Sequence, residues 1–194
     1  GVDFALEPWM CSDEGATYKE VIHIDGNALS PMLARPGDPG NGVTVHDLGK
    51  GVHVDIAYGG SCTGGKREDF DAYHEVIAWA LEHELPLPAN TKLFLQFGTM
   101  DVRDYCIEQG YLETFAKAGV ELIMPGCGAC ANCGPGSSTD ASQVTISAIN
   151  RNFPGRSGPG SVYLASPYTV AASAVAGYIA TFDDIKDEAR QSVN

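Results

Sequence analysis

The stretch VHVDIAYGGSCTGGKREDFDAYHEVIAWALE, residues 52–82, decides the fold. Its first seven residues, 52–58, alternate apolar and polar side chains, the period-two signature of a strand. Beyond the glycines the period changes. Phe70, Tyr73, Ile77, Ala80 and Leu81 recur at helical spacing and define one apolar face. Glu68 and Asp69 open that helix, where the positive end of the backbone dipole favours carboxylates. A strand, a tight glycine turn and an amphipathic helix make the first half of a βαβ unit.

The pattern continues outward. KLFLQF (92–97) and VELIM (120–124) are short apolar runs, and QVTISA (143–148) and SVYLA (161–165) are rich in β-formers. A helical segment from Val102 to Lys117, broken at Gly110, separates two of them, and Ser166 followed by Pro167 marks the start of a last core helix. Parallel strands joined by right-handed crossovers follow from this order. The expected fold is α/β, a three-layer α/β/α sandwich with a mainly parallel sheet, over residues 51–194. Residues 1–50 are expected to be an extended lead-in packed on that domain, because SPMLARPGDPGNGV (30–43) is too rich in Pro and Gly for regular structure. The acidic FDDIKDEARQ (182–191) reads as an exposed helix or a frayed end.

Composition narrows the function. The 194 residues are 44% apolar and suit one ordinary domain with a real core. A net charge of −13 disfavours nucleic acid, whose binding rests on phosphate neutralisation, so an anionic partner must be held by local cations. The longest apolar run, VYLASPYTVAASAVAGYIA, is interrupted by Ser166 and Pro167 and reads as a core helix, not a membrane span. Six cysteines in a chain this long, with no leader-like layout at its start, point to reduced thiols and a cytoplasmic setting.

In a parallel sheet the segments after each strand gather at the carboxyl edge, where open α/β folds bind ligands. Cys62 follows the first strand, Thr99 the second, Cys127 and Cys130 the third, and Arg151 and Arg156 the fourth. One site can hold all of them. Cys127 and Cys130 are a C-x-x-C pair able to share a metal centre, and Cys62 offers a third thiolate. Glycines around them leave backbone N–H groups free to bond sulfur. An iron–sulfur cluster, a zinc ion, a redox pair or inert thiols all remain open on spacing alone. His23, His46, His53, His74 and His83 fall in no Cys/His group and read as surface or core residues. Cys11 and Cys106 lack a glycine setting and read as buried packing.

Four ordered motifs, GGSCTGGKREDF, PGCGACANCGPG, INRNFPGR and VYLASPYTVAASAVAGYI, resemble the cluster-bearing domain of the aconitase superfamily, above all the 3-isopropylmalate dehydratase and homoaconitase large subunits. The likeness runs from about Ser12 to Ala180 and takes in DGNALSPMLARPGDPGN. It implies that Cys62, Cys127 and Cys130 ligate a [4Fe–4S] cluster with one open iron acting as a Lewis acid. It implies that Arg151 and Arg156 bind a di- or tricarboxylate, with Asn150 near the cluster and Lys66 helping to place the anion. The implied reaction is dehydration and rehydration of a hydroxy acid of the 3-isopropylmalate, homocitrate or citrate class.

Two departures stand out. Gly64 occupies a position where the family commonly has Asn, so a hydrogen bond there is absent or supplied elsewhere. Cys133 extends the motif to C-x-x-C-x-x-C, as a spare thiol or as a fourth ligand that would block the open iron. The resemblance also implies that this chain matches only the end of a large subunit. The base-bearing swivelling domain or small subunit and the other large-subunit domains are then its partners, and the chain alone is not expected to be a competent enzyme. The alternative of another class is a non-catalytic iron–sulfur or zinc module.

Overall fold

The computed structural model describes residues 5–49 and 51–192. Residues 1–4, 50, 193 and 194, at the ends of the two expected segments, lie outside the described residues. In chain order the elements are β1 (Met32–Ala34), β2 (Gly42–Thr44), α1 (Val45–Leu48), β3 (Ile56–Gly60), α2 (Ser61–Gly64), α3 (Arg67–Glu82) and β4 (Lys92–Gln96). Then come α4 (Met100–Glu108), α5 (Tyr111–Lys117), β5 (Glu121–Ile123), β6 (Val144–Ser147), β7 (Ser161–Ala165), α6 (Pro167–Ala176) and α7 (Phe182–Ser192). The mainly parallel α/β sheet has the order β2-β1-β7-β6-β3-β4-β5, with only β1 antiparallel to its neighbours.

The local signals explain the helices. Ser166 accepts the Thr169 N–H at 3.3 Å and caps α6, with Pro167 at its first position. Gly110, at φ +76°, separates α4 from α5 where the sequence places the break. The acidic segment is the helix α7, anchored by the buried Ile185.

The chain steps from β3 to β4 to β5 in one direction, then returns past β3 to β6 and β7. Right-handed connections must therefore use opposite faces for the two halves. One face carries the helices. There Ala57, Leu93, Leu95 and Ile146 pack beneath Phe70, Tyr73, Val76 and Ile77 of α3 and the alanines of α6. Phe70 stacks on Phe97 at 4.8 Å between centroids. The other face carries loops and one 3-10 turn, whose Ala129, with Ile149, covers Ile56, Tyr58 and Phe94. The second outer layer is thus made by residues 124–143 and 148–160, the segments that bear most of the candidate site.

Two expectations are corrected, that residues 30–43 are irregular and that Cys11 is buried. Residues 30–43 do form regular structure, because Pro36 and Pro39 are confined to the turn of a hairpin whose strands are β1 and β2. Asp38 Oδ1 accepts the Gly40 N–H at 2.6 Å within that turn, and Arg35 N–H donates to the Asn41 carbonyl at 2.9 Å to close it. Leu33 then pairs with Ala165 of β7. Residues 5–32 are exposed throughout, Trp9 and Ile22 included. Cys11 is therefore exposed rather than packed, since it closes a short 3-10 turn within that segment. Cys106 is fully buried in α4, and burial pushes its thiol up to about 12.

Candidate active site

The candidate site is built from the segments that follow β3, β5 and β6. Order β6-β3-β4 with reversed connections makes the β3–β6 seam the switch point, where this class of sheet opens a crevice. Cys62 and the residues after Ala148 flank that seam.

After β3 the chain turns at once. Gly60 sits at φ +116°, and a Cβ there would stand 2.1 Å from the Gln96 carbonyl oxygen. Only glycine allows β3 and β4 to approach so closely at this turn. Ser61 follows at φ +59°, an uncommon conformation for serine that lifts Cys62 to the surface on α2. The turn is fixed from behind. Tyr73 donates its hydroxyl to the Gly64 carbonyl at 2.8 Å, and Gly98 N–H donates to the Gly65 carbonyl at 2.9 Å. At Gly64 itself a Cβ would lie 2.7 Å from Ala148 Cβ, so Ala148 occupies the space that a side chain at 64 would need.

After β5, residues 124–136 fold back over the sheet. Gly128–Ala131 make one 3-10 turn with Cys127 at its start and Asn132 in the left-handed region at its end, and Cys133 N–H closes onto the Gly128 carbonyl at 3.0 Å. A C-x-x-C at the head of a long helix is not what the chain builds. Cys127 and Cys133 are exposed and Cys130 is half-buried. The buried Tyr58 hydroxyl, pushed up to about 12 by desolvation, stays protonated beneath this turn and donates to Gln96 Oε1 at 2.6 Å.

After β6, residues 148–160 supply the cations. Arg156 donates from Nη2 to Cys130 Sγ at 3.5 Å, joining the arginine segment to the thiol turn. Asn150 and Arg151 are exposed nearby in the chain. Asn152, buried, donates from Nδ2 to the carbonyls of Arg35 at 2.8 Å and Val162 at 3.0 Å, which ties this segment to β7 and to the hairpin. Lys66 is exposed beside Cys62, whereas Arg67 is engaged by Asp101 at 2.8 Å. Thr99 lies at the same edge, but its hydroxyl accepts the Val102 N–H at 3.2 Å and caps α4.

Some buried polar atoms have no partner. Ser61 Oγ, Ser137 Oγ, Asn152 Oδ1, Arg156 Nε and Ser157 Oγ are unpaired among the described residues, and Thr145 Oγ1 is the other. Ser61 adjoins Cys62 and Arg156 bonds Cys130, so these two unpaired groups lie next to the thiols, whereas Ser137 lies with Asp55, Lys92 and Gln143 at the amino ends of the strands. Four free thiols on two loops of one sheet edge, one of them bonded by an arginine, fit a thiolate-bound metal group in chemical type. As the chain stands, no three His, Cys, Asp or Glu side chains among the described residues converge to hold a metal ion. The histidines take other roles: His74 stacks on Tyr111 at 3.9 Å, His83 on Trp79 at 4.1 Å, and His53 faces Asp55 at 3.4 Å.

Reading from sequence missed Tyr58, Gln96, Ser61 and Asn152. Only Ser61, next to Cys62, carried a signal that could have drawn attention.

A mainly parallel α/β domain with thiols and arginines on the loops of its carboxyl edge defines the class. The aconitase family (aconitate hydratase) model matches residues 2–177, and the chain belongs to that family. It is similar to the probable methanogen homoaconitase large subunit of Methanothermobacter thermautotrophicus, 39% identical over 174 residues. It is 36% identical over 170 residues to the 3-isopropylmalate dehydratase large subunit of Elusimicrobium minutum, and 35% over 186 to large subunit 1 of that name in Deinococcus radiodurans. These alignments take in 87%, 87% and 94% of this chain but 38%, 39% and 41% of the relatives. The chain therefore spans about two fifths of the length of the proteins it matches. Among the described residues no helix is long and apolar enough to cross a membrane.

Proposed function

We propose that this chain is the cluster-bearing part of a hydro-lyase that removes and restores water on a hydroxy di- or tricarboxylic acid. The observation that carries the reading is the Arg156 guanidinium donating to the Cys130 thiol, a cation suited to carboxylates set against a metal-ligand residue. Cys62, Cys127 and Cys130 would hold a [4Fe–4S] cluster, which supplies an open iron as a Lewis acid toward the substrate hydroxyl. Arg156, Arg151 and Lys66 would bind the carboxylates, and Asn150 would orient the acid. Dehydration takes a hydroxyl from one carbon and a proton from the next, leaving a double bond. The chain offers cations but no unambiguous base for that proton. The base is assigned to a partner, the swivelling domain or small subunit, and the remaining large-subunit domains complete the site. The substrate class follows the relatives' names, 3-isopropylmalate or homocitrate-like acids, with citrate as the parent chemistry.

Anaerobic reconstitution with iron and sulfide tests this reading. Four irons per chain are expected, with one Mössbauer subsite shifting when a hydroxy-dicarboxylate is added. Replacing Arg156 with Lys should leave the iron content unchanged and weaken that ligand-induced shift roughly tenfold in apparent affinity, because lysine cannot make a bidentate pair. Zinc in place of iron, or a cluster indifferent to the ligand, would instead identify a structural or regulatory module.

A further inference from the structure

The underside of the thiol loop rests on two polar side chains where a sheet would ordinarily place aliphatic ones. Tyr58 and Gln96 are each 1% exposed. In the parallel register Tyr58 lies opposite Phe94, which puts Gln96 two residues on and on the same face. Tyr58 donates its hydroxyl to Gln96 Oε1 at 2.6 Å, and this fixes which way the amide points. Gln96 Nε2 then donates to the carbonyls of Met124 at 3.1 Å and Gly126 at 3.2 Å. One amide accepts from the sheet and donates to the segment leading into Cys127.

The loop meets the pair twice more. Gly128, at φ +49°, lies so close that a Cβ would stand 2.6 Å from the Tyr58 hydroxyl and 2.9 Å from the Gln96 amide. At Gly136 a Cβ would stand 2.4 and 2.6 Å from the Tyr58 ring. Cys127, Cys130 and Cys133 all lie between the first and last of these contacts. Tyr58 belongs to β3, which ends at Gly60 and passes into the turn bearing Cys62. The same strand therefore carries one thiol at its tip and the support of the other three on its face.

We infer that Tyr58 and Gln96 are positioning residues that set the height and orientation of the 124–136 thiol loop relative to Cys62. A fully bonded buried polar pair specifies one arrangement where an apolar contact would tolerate several. This rests on the reading above only for its consequence, the assembly of a cluster. The holding of the loop is a property of the metal-free chain.

The test uses Tyr58→Phe, which keeps the ring, together with Gln96→Leu and the double variant. N-ethylmaleimide labelling of each cysteine in the metal-free protein, followed by mass spectrometry, reads loop opening locally. Labelling of the half-buried Cys130 should rise about fivefold in Tyr58→Phe, the effect of one lost hydrogen bond on local opening, more in Gln96→Leu, which loses all three, and little further in the double. Cys62 and Cys106 should keep their wild-type rates, because β3 and α4 are not loosened. No change at Cys130, or equal acceleration at Cys106, would overturn the inference. A second arm compares iron uptake after reconstitution, where the variants should retain fewer irons than the wild type. A wild type that takes up no iron and sulfide would refute the cluster reading, while the labelling pattern would still decide the positioning role.

Discussion

Serine at Cys62, Cys127 or Cys130 is expected to lower the iron retained after anaerobic reconstitution by at least tenfold. The ligand must be a thiolate, and a serine hydroxyl titrates too high to replace it near neutral pH. In the proposed arrangement three ligands would hold the group from two loops, so the loss of any one would remove a large part of its binding. Cys133→Ser, by contrast, should retain the cluster and its ligand-sensitive subsite. Both cysteines at the ends of this run are exposed, and Cys133 follows the left-handed Asn132, outside the 3-10 turn. Iron analysis of the four variants decides between two ligand sets. If all four variants lost their iron, Cys133 would be a fourth ligand and the open iron would be closed. The Cys106→Ser variant serves as a control, since that thiol is sealed in α4 and distant in sequence from both loops.

Alanine at Gly60 is expected to damage the fold severely. A Cβ would overlap the Gln96 carbonyl oxygen at 2.1 Å and its nitrogen at 2.6 Å, both backbone atoms that no rotamer can move. Relief requires β3 and β4 to separate at the edge where the site is built. With the unfavourable φ of +116° added, the cost is about 4 kcal/mol, a large share of a domain's stability. Gly110→Ala is the comparison. It shares a positive φ, +76°, but has nothing within 4 Å of a built Cβ, so it should cost only about 1 kcal/mol. Urea unfolding of the two variants separates close approach from backbone conformation. Equal costs would mean that the strands do not need the contact.

How much of this was legible beforehand depended on whether a feature was local in sequence. The strand at 161–165 and the cap at Ser166 could be read because β-formers and a Ser-Pro start carry their meaning within a few residues. The break at Gly110 was legible for the same reason. The hairpin was not, because two prolines near short apolar runs look like irregular chain until β7 offers an edge to pair with. The cysteines and arginines of the site were visible as residue types at strand ends. Tyr58 and Gln96 were not, because their partnership exists only once the β3–β4 register brings them onto one face. Gly64 illustrates a third situation: the residue was noticed, but the reason it is small is Ala148, far along the chain.

The pairing of Leu33 with Ala165 also orders events during synthesis. β3 and β4 are close in sequence and pair along their length, so they can associate soon after both are made. The hairpin has no such option. It must wait, with both its strands made, until β7 has been translated, since no other edge of the sheet receives it. Asn152 closes the same latch by binding Arg35 and Val162 at once, so the arginine segment reaches its final place only when the earliest and latest strands have met. Non-local closure of this kind is slow, and it leaves residues 148–160 without their final anchor until the body of the domain has folded.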